Sequence, residues 1–336
     1  MPGKLLGMPS TPKPIGPFPL GMDNRAPDFK LGLPEGAGHL LRDALNVDVT
    51  AQGSLKTRAG YALAEQGLDC HSGWSPLDGS YGLYCDSGDI FRIDVDASGA
   101  TTRTQVAAGY GRVTPVVYCE VNEAVYFTDG IRVGSYHPVP GPTPRWLDAQ
   151  PQVVGDVQFS LMPAGSSIAY QGGRLLVAVG SALIYSEPFT PGLRDESRGF
   201  EIFPAPITCI AAVEAGVFVM ADKTYFLAGG LPAQSMRAVL PYGALQQQAG
   251  YRLAATGGAD GAHWMSTRGI VSARPDGSLV NLQAEHIALE ASGAGATLYR
   301  EADGMRAIVA TLSQSPSTSA GVGSYAQARL VRKAQP

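Results

Sequence analysis

Five Asp-Gly pairs, at 78–79, 129–130, 260–261, 276–277 and 303–304, are the residues of this chain best suited to acid–base chemistry. Two carboxylates that flank a bond, one protonated and one ionised, can hydrolyse a glycoside. The same dipeptide is also what tight turns demand, because Asp hydrogen-bonds the amides ahead of it and Gly accepts left-handed backbone. All five pairs stand between apolar runs, where a turn is expected, so the turn reading is preferred.

The remaining reactive side chains form no recognisable constellation. His39, His71, His137, His263 and His286 are scattered, and no His-Glu-x-x-His occurs. His263 alternates with Trp264 in a strand-like run, facing a channel or a packed neighbour. Cys70, Cys85, Cys119 and Cys209 form no Cys-x-x-Cys pair, and the last three sit in apolar runs, as reduced, buried thiols would. There is no Gly-x-Ser-x-Gly elbow and neither phosphate-binding glycine loop. The expectation is a protein without catalytic residues, metal or cofactor.

Composition narrows the classes further. The chain has 336 residues, 45% apolar and only 16% charged, with 42 Gly and 25 Pro. That balance favours short strands and tight turns over long amphipathic helices. A net charge of −4 argues against gripping nucleic acid, which needs clustered Lys and Arg; the longest basic stretch is Arg329 to Lys333. Met1 to Leu20 carries Pro at 2, 9, 12, 14, 17 and 19 and has no apolar signal core. No apolar run approaches the ~18 residues of a membrane span. The reading is a soluble protein made in a cytoplasm, with no membrane partner.

One pattern recurs along the chain. A Gly or Asn precedes a β-prone run, a short turn and a second apolar strand. The copies are led by Gly79, Asn122, Gly173, Gly216, Gly261 and Gly304, at intervals of 43, 51, 43, 45 and 43 residues. A period of ~40–50 residues with strands in each unit is the signature of a β-propeller, in which small twisted sheets bury their faces against one another. The expected fold is therefore all-β, a β-propeller of about six blades with an extended Pro/Gly-rich N-terminal arm. The arm is placed at 1–42 and the propeller at 43–336, with the hairpin at 43–64 pairing with Met305–Arg332 to close the ring. A two-sheet sandwich is the rival. Leu282 to Ala291 has helix-forming composition and reads as one short helix.

Three segments attract attention for contact rather than catalysis. The arm lacks the periodicity to fold alone, yet carries Phe18, Leu20, Met22 and Phe29 among its prolines. The inserted loops Tyr136 to Trp146 and Glu187 to Phe203 combine proline, arginine and aromatic residues, the types enriched at interface hot spots. The candidate subunit-contact residues are Phe18, Leu20, Met22, Phe29, Tyr136, Trp146, Arg194 and Arg198. The signature boxes of catalytic and scaffold propellers are missing: Ser75-Pro-Leu-Asp78 has the wrong spacing for the sialidase box, and no Trp-Asp dipeptide marks a WD40 blade.

Asn46 to Tyr61 (NVDVTAQGSLKTRAGY), after an arm containing Gly21-Met-Asp-Asn24, resembles the opening of propeller-bearing tail proteins of tailed bacteriophages. Ala182 to Pro188, Ile207 to Val213 and Thr224 to Gly229 are similar to their mid-chain blades. The relatives are the tail nozzle or tail stabilisation proteins of short-tailed phages. The resemblance implies a virion structural protein, synthesised in the host cytoplasm. It would form a homo-oligomeric, hexameric ring that extends the tail channel and retains DNA, touching neighbouring tail or adaptor proteins. DNA would pass through without specific binding, and an acidic wall fits that passage. The competing classes are a receptor- or carbohydrate-binding propeller at the tail tip, favoured by exposed Tyr and Trp, and a propeller glycosidase, favoured by paired carboxylates in a cleft.

Overall fold

A computed structural model describes residues 16–18, 21–25, 39–42, 44, 47–50, 52–57, 63, 65–76, 78–141, 145–245, 261–287, 291–302, 305–314 and 328–332. The chain divides into two compact units, Met1–Gly60 with Glu285–Ile287, and Tyr61–Ala284 with Ala288–Pro336. Among the described residues the structure is β-strand and turn, with one 3-10 turn at Trp146–Asp148.

In the first unit, β1 (Val47–Val49) pairs antiparallel with β2 (Leu55–Thr57) across the Thr50–Gly53 turn. The arm is tied to this hairpin by its backbone: Phe18 N–H donates to Gly53 O at 2.7 Å and His39 N–H to Pro17 O at 2.8 Å. Met22 bridges Leu41, and His286 Nδ1 lies 3.1 Å from an Asp23 carboxylate oxygen.

The second unit is a succession of antiparallel meanders. The first sheet runs β3 (Cys70–Trp74), β4 (Gly82–Asp86), β5 (Asp89–Val95) and β6 (Thr101–Ala108) in order. The second is β7 (Val117–Val121), β8 (Ala124–Thr128) and β9 (Val133–Tyr136). An inserted sheet follows, made of β10 (Gln152–Val154), β11 (Val157–Leu161) and the later β15 (Leu193–Asp195). The third sheet is β12 (Ser167–Gln171), β13 (Arg174–Val179), β14 (Ala182–Tyr185) and, past the excursion to β15, β16 (Phe200–Ile202). The fourth is β17 (Cys209–Val213), β18 (Gly216–Met220), β19 (Thr224–Ala228) and β20 (Ser235–Leu240). The fifth is β21 (Ala262–Ser266), β22 (Gly269–Ala273) and β23 (Leu279–Asn281); the last is β24 (Ala291–Ala302), β25 (Met305–Gln314) and β26 (Ala328–Arg332). Each sequence repeat supplies one hairpin of one of these blade sheets.

Strand alternation explains why these sheets stack. Side chains of a strand point alternately to its two faces, so a strand buried on both faces is apolar throughout and divides its residues between two neighbours. On β8, Val125 and Phe127 pack with Leu83 and Ile90 of the first sheet, while Ala124 and Tyr126 pack with Leu175 and Val177 of the third. On β13, Leu176 and Ala178 turn the other way, onto Val217 and Val219 of β18. On β18, Phe218 and Met220 pack with Trp264 and Val271 of the fifth sheet. Sequential meanders packed face to face by this alternation are the β-propeller architecture.

Hydroxyl groups add a second periodicity between sheets. Val116 N–H donates to Ser72 Oγ at 2.9 Å across 44 residues, and Ile210 N–H to Ser167 Oγ at 3.0 Å across 43. Both separations equal the repeat length to within a residue. These bonds satisfy buried amides at the first strands of neighbouring sheets, where the ladder of a single sheet cannot reach.

One expectation is corrected. Leu282–Ile287 is a run of bends and turns rather than a helix, and 288–290 lie outside the described residues. Hydrogen bonds to the fifth sheet override local propensity: Leu282 N–H donates to Ile270 O, and Ile270 N–H to the Gln283 carboxamide oxygen at 2.9 Å. Within the second unit β25 pairs with β24 on one side and with β26 on the other. Glycine-rich Ala291–Ala302 supplies the partner strand that composition concealed.

Phe218 fills the contact between the fourth and fifth sheets and is fully buried. Phe218→Ala should destabilise the protein by about 3–5 kcal/mol and Ser167→Ala by about 1–3 kcal/mol, whereas Ile131→Ala, at an exposed position, should stay within about 0.5 kcal/mol. Urea unfolding of the three variants measures this; equal losses would refute the alternating core.

Candidate functional site

The two loops singled out by composition come together. Trp146 stands on the 3-10 turn after β9, and its N–H approaches Ser135 Oγ at 3.4 Å. Gly192, just before β15, lies so close to this turn that a Cβ there would meet Ala149 Cβ at 2.4 Å and Trp146 O at 3.1 Å. Met162 N–H donates to Gly192 O at 2.9 Å, closing the junction from the β11 side. The β10–β11 hairpin and β15 therefore form a sheet of their own, inserted between the second and third blade sheets in sequence.

Trp146 corrects the expectation of an exposed ring. It is 1% exposed and stacks on Tyr126 with centroids 5.6 Å apart. A large apolar indole beside an uncovered sheet gains most by entering it, so Trp146 anchors the insertion. Tyr136 is half-buried and accepts a hydrogen bond from Arg92 at 2.8 Å. Arg194 is half-buried, opposite Ser160 in the β11–β15 register. Arg198 is exposed and ion-paired at 2.6 Å with the buried Asp195. Phe18 is buried within its own chain, and Met22 is half-buried. Leu20 and Phe29 lie outside the described residues.

What the insertion does present is apolar aliphatic surface. The register puts Val154, Val157, Phe159, Leu161 and Leu193 on one face, together with Gln152 and Asp195, both opposite Phe159. Leu193 is buried, Phe159 half-buried, and Val154 58% exposed, so this apolar stripe runs from the interior out to the surface. Val153, on the other face of β10, is 71% exposed. Phe189 stands nearby in sequence, 76% exposed and at φ 57°, with its N–H donating to Gly173 O at 2.7 Å. A bulky residue held in left-handed backbone costs on the order of 1–3 kcal/mol, and such positions concentrate where a surface is used. These residues had no sequence signal of their own, because Gln152-Val-Val is too short to read as a strand and β15 is remote from it.

The carboxylates of the described Asp-Gly pairs serve turns. Asp78 accepts from Ser80 N–H at 3.0 Å, and Asp276 from Ser278 N–H at 2.8 Å. Hydrogen bonds from Ser80 and Ser278 hold both carboxyls below the usual range. Asp129 caps Ile131 and Arg132, and Gly130 takes φ 83° to complete the turn. Asp78 and Asp276, so lowered, stay ionised at neutral pH, which is the wrong state for a general acid. Asp260 and Asp303 lie outside the described residues. Burial pushes the Cys85 thiol up to about 11 and raises that of Cys70, so both are protonated at neutral pH. His263 is buried in β21. Among the described residues no three His, Cys, Asp or Glu side chains could together hold a metal ion.

The other dense polar–aromatic cluster is a clamp between the first two sheets. Arg92 lies 4.5 Å over the Tyr81 ring and pairs with Asp94, while Trp74 stacks on Tyr118 at 6.1 Å. These contacts occupy one face of the Tyr81 ring and one of Trp74. Among the residues whose burial is described, every Tyr and Trp is buried or half-buried.

No protein-family model matches the chain, and no curated protein matches it. Solved structures of similar course include a functionally unknown protein from Desulfotomaculum acetoxidans, 13% identical over 71% of this chain and 77% of that one, TM-score 0.44. Another is PorZ, a surface component of the type-IX secretion system of Porphyromonas gingivalis, 12% identical over 80% of this chain, TM-score 0.39; this chain spans about 35% of its length. The WD40 β-propeller domain of Doa1 is 12% identical over 73% of this chain and 78% of that one, TM-score 0.38.

Asp86 is the most heavily used carboxylate, accepting from the Leu68 and Asp69 amides, from Ser87 and from Arg103. The Asp69 amide foremost, then Arg103 and Ser87, lower its pKa against the cost of burial. A folded-state pKa below the unfolded value of about 3.9 stabilises fully above that value and is lost as pH falls through the folded one. Stability should therefore fall on acidification below about pH 4, and Asp86→Asn should flatten that fall. Urea midpoints from pH 6 to pH 2 measure it, and an unchanged slope in the variant would remove Asp86 from this role.

Proposed function

We propose that this chain is a structural protein of a bacteriophage tail, an oligomeric tail-tube or nozzle component that holds its place through surface contacts rather than by chemistry. The observation that carries the reading is the inserted β10–β11–β15 sheet, on which exposed Val153 and Val154 bring apolar surface outward while the buried Asp195 is held in an ion pair with Arg198. An apolar surface of this kind, set beside exposed Arg198, has the make-up of a contact region. The resemblance of Asn46–Tyr61 and of the mid-chain runs to phage tail proteins supplies the setting, and the net charge of −4 suits a wall past which DNA moves freely. The ring, its neighbours and its station at the tail belong to this proposal.

The carbohydrate-binding alternative asks for exposed Tyr and Trp and finds them covered among the residues whose burial is described. The glycosidase alternative asks for a raised carboxyl beside an ionised one; Asp78 and Asp276 are lowered, while burial and then the neighbouring Asp78 raise Glu120.

Two measurements test the reading. Peptides of this chain should be recovered from purified, DNA-emptied particles at a fixed stoichiometry, and recovery only from the soluble lysate would overturn it. The isolated protein should bind duplex DNA no more tightly than about 10⁻⁴ M at physiological salt. Tight, strongly salt-dependent binding would contradict a passive wall.

A further inference from the structure

The first two blade sheets carry unpaired charge of opposite sign at their two ends. Successive strands of a meander run in opposite directions, so the turns before and after a strand lie at opposite ends. The Asn122–Glu123 turn precedes β8 and the Asp129–Arg132 turn follows it. Contacts between the sheets respect this division: Tyr81 meets Tyr136 at the first end, with centroids 6.2 Å apart, and Gly111 N–H donates to the Asp129 carboxylate at 3.3 Å at the second.

At the second end two guanidinium groups flank two bared aliphatic side chains. Arg112 and Val113 lie between β6 and β7, Ile131 and Arg132 on the β8–β9 turn, and all four are exposed. Thr114 Oγ1 donates to Asp129 O and Arg132 donates to Gly109 O at 3.0 Å, holding the two segments side by side. Among the described residues no carboxylate pairs with either guanidinium. The acids beside them accept from backbone amides instead, Asp89 from Gly109 and Asp129 from Gly111, Ile131 and Arg132. At the first end Asp78, Glu120 and Glu123 are exposed and have no ion pair among the described residues. Partial burial, then Asp78 and Glu123, raise the Glu120 carboxyl, as crowded like charges do. The cation on that side, Arg92, is already engaged by Asp94 and Tyr136.

We infer that copies of this chain dock head to tail, the Arg112–Val113 and Ile131–Arg132 patch of one copy covering the Asp78, Glu120 and Glu123 carboxylates of the next. A second copy is the occupant because one chain carries both halves of the match. Each set of charges lacks a counter-ion within its own chain, and docking supplies it to both at once. Arginine beside aliphatic side chains, facing carboxylates, is also the make-up of a specific protein contact. The contact joins unlike surfaces, so it repeats in one direction rather than closing in pairs. It leaves the inserted sheet free for lateral contact, and it stands without the tail reading.

The test uses the full chain in solution. Its mass by light scattering should climb with concentration at about 20 mM salt and fall, at about 0.5 M, to a floor that further salt leaves unchanged. The double variant Arg112→Glu with Arg132→Glu should stay at that floor at low salt, and so should Glu120→Lys with Glu123→Lys. Mixed in equal amounts, the two variants should climb again, because each now offers the end that the other lacks. The neutral pair Arg112→Gln with Arg132→Gln should lower the climb without reversing any charge, which keeps the test decisive if a reversal unfolds the chain. A wild type whose mass ignores salt, a reversed variant that still climbs alone, or a mixture of folded variants no heavier than its parts would each overturn the inference. Lateral contact sets only the floor, and recovery from particles tests the tail reading, so the two can fail separately.

Discussion

The structure depends on one constraint: the second, third and fourth blade sheets each have two apolar faces, and neither can be left in water. Phe218 and Val217 are neighbours in sequence but belong to different cores, one against Trp264, the other against Leu176. A single sheet with such strands would expose one of those cores. Stacking successive sheets removes the problem for all but the outer faces, and each added unit lends its neighbour a surface. The hydroxyl bonds from Ser72 and Ser167 reach the next sheet at the repeat distance because they belong to that same stacking.

This constraint explains which parts of the fold were legible in the sequence. The repeat was visible because each unit must turn tightly twice within a fixed length, and tight turns demand Gly, Asn and Asp at definite places. Gly79, Asn122, Gly173 and Gly216 mark those places, and the apolar runs after them are strands. Asp-Gly pairs were legible for the same reason, as the caps of Asp78, Asp129 and Asp276 demonstrate. Where structure is set by distant partners, local reading failed. Leu282–Ile287 has helical composition, but the Leu282 amide and the Gln283 carboxamide oxygen tie it to Ile270. Tertiary hydrogen bonds outweighed propensity there.

The candidate site was half legible. Proline, arginine and aromatic residues marked the two loops correctly as departures from the repeat, and the long interval of 51 residues located the first of them. Their joining could not be read, because β15 returns to β11 from more than thirty residues away, across β12, β13 and β14. Composition also misassigned the roles within the loops. Trp146, the most conspicuous aromatic residue, is the anchor, while unremarkable valines at 153 and 154 make the surface. An aromatic ring in a polar loop is as readily recruited inward as outward, since covering it removes the most apolar area.

The insertion also shows why a contact surface belongs there rather than on a blade face. The second blade sheet has three strands where the first, third and fourth have four, so its outer flank lacks the strand that would complete it. Trp146 and the turn that carries it cover β9 at that flank, and the chain then leaves the repeat for β10 and β11 before resuming at β12. The repeat is bound by the two-faced packing of its neighbours, and a substitution in β8 or β13 disturbs two cores at once. β10 is bound by one partner strand only. Surface features there can change without disturbing the stack, so recognition can be altered independently of folding.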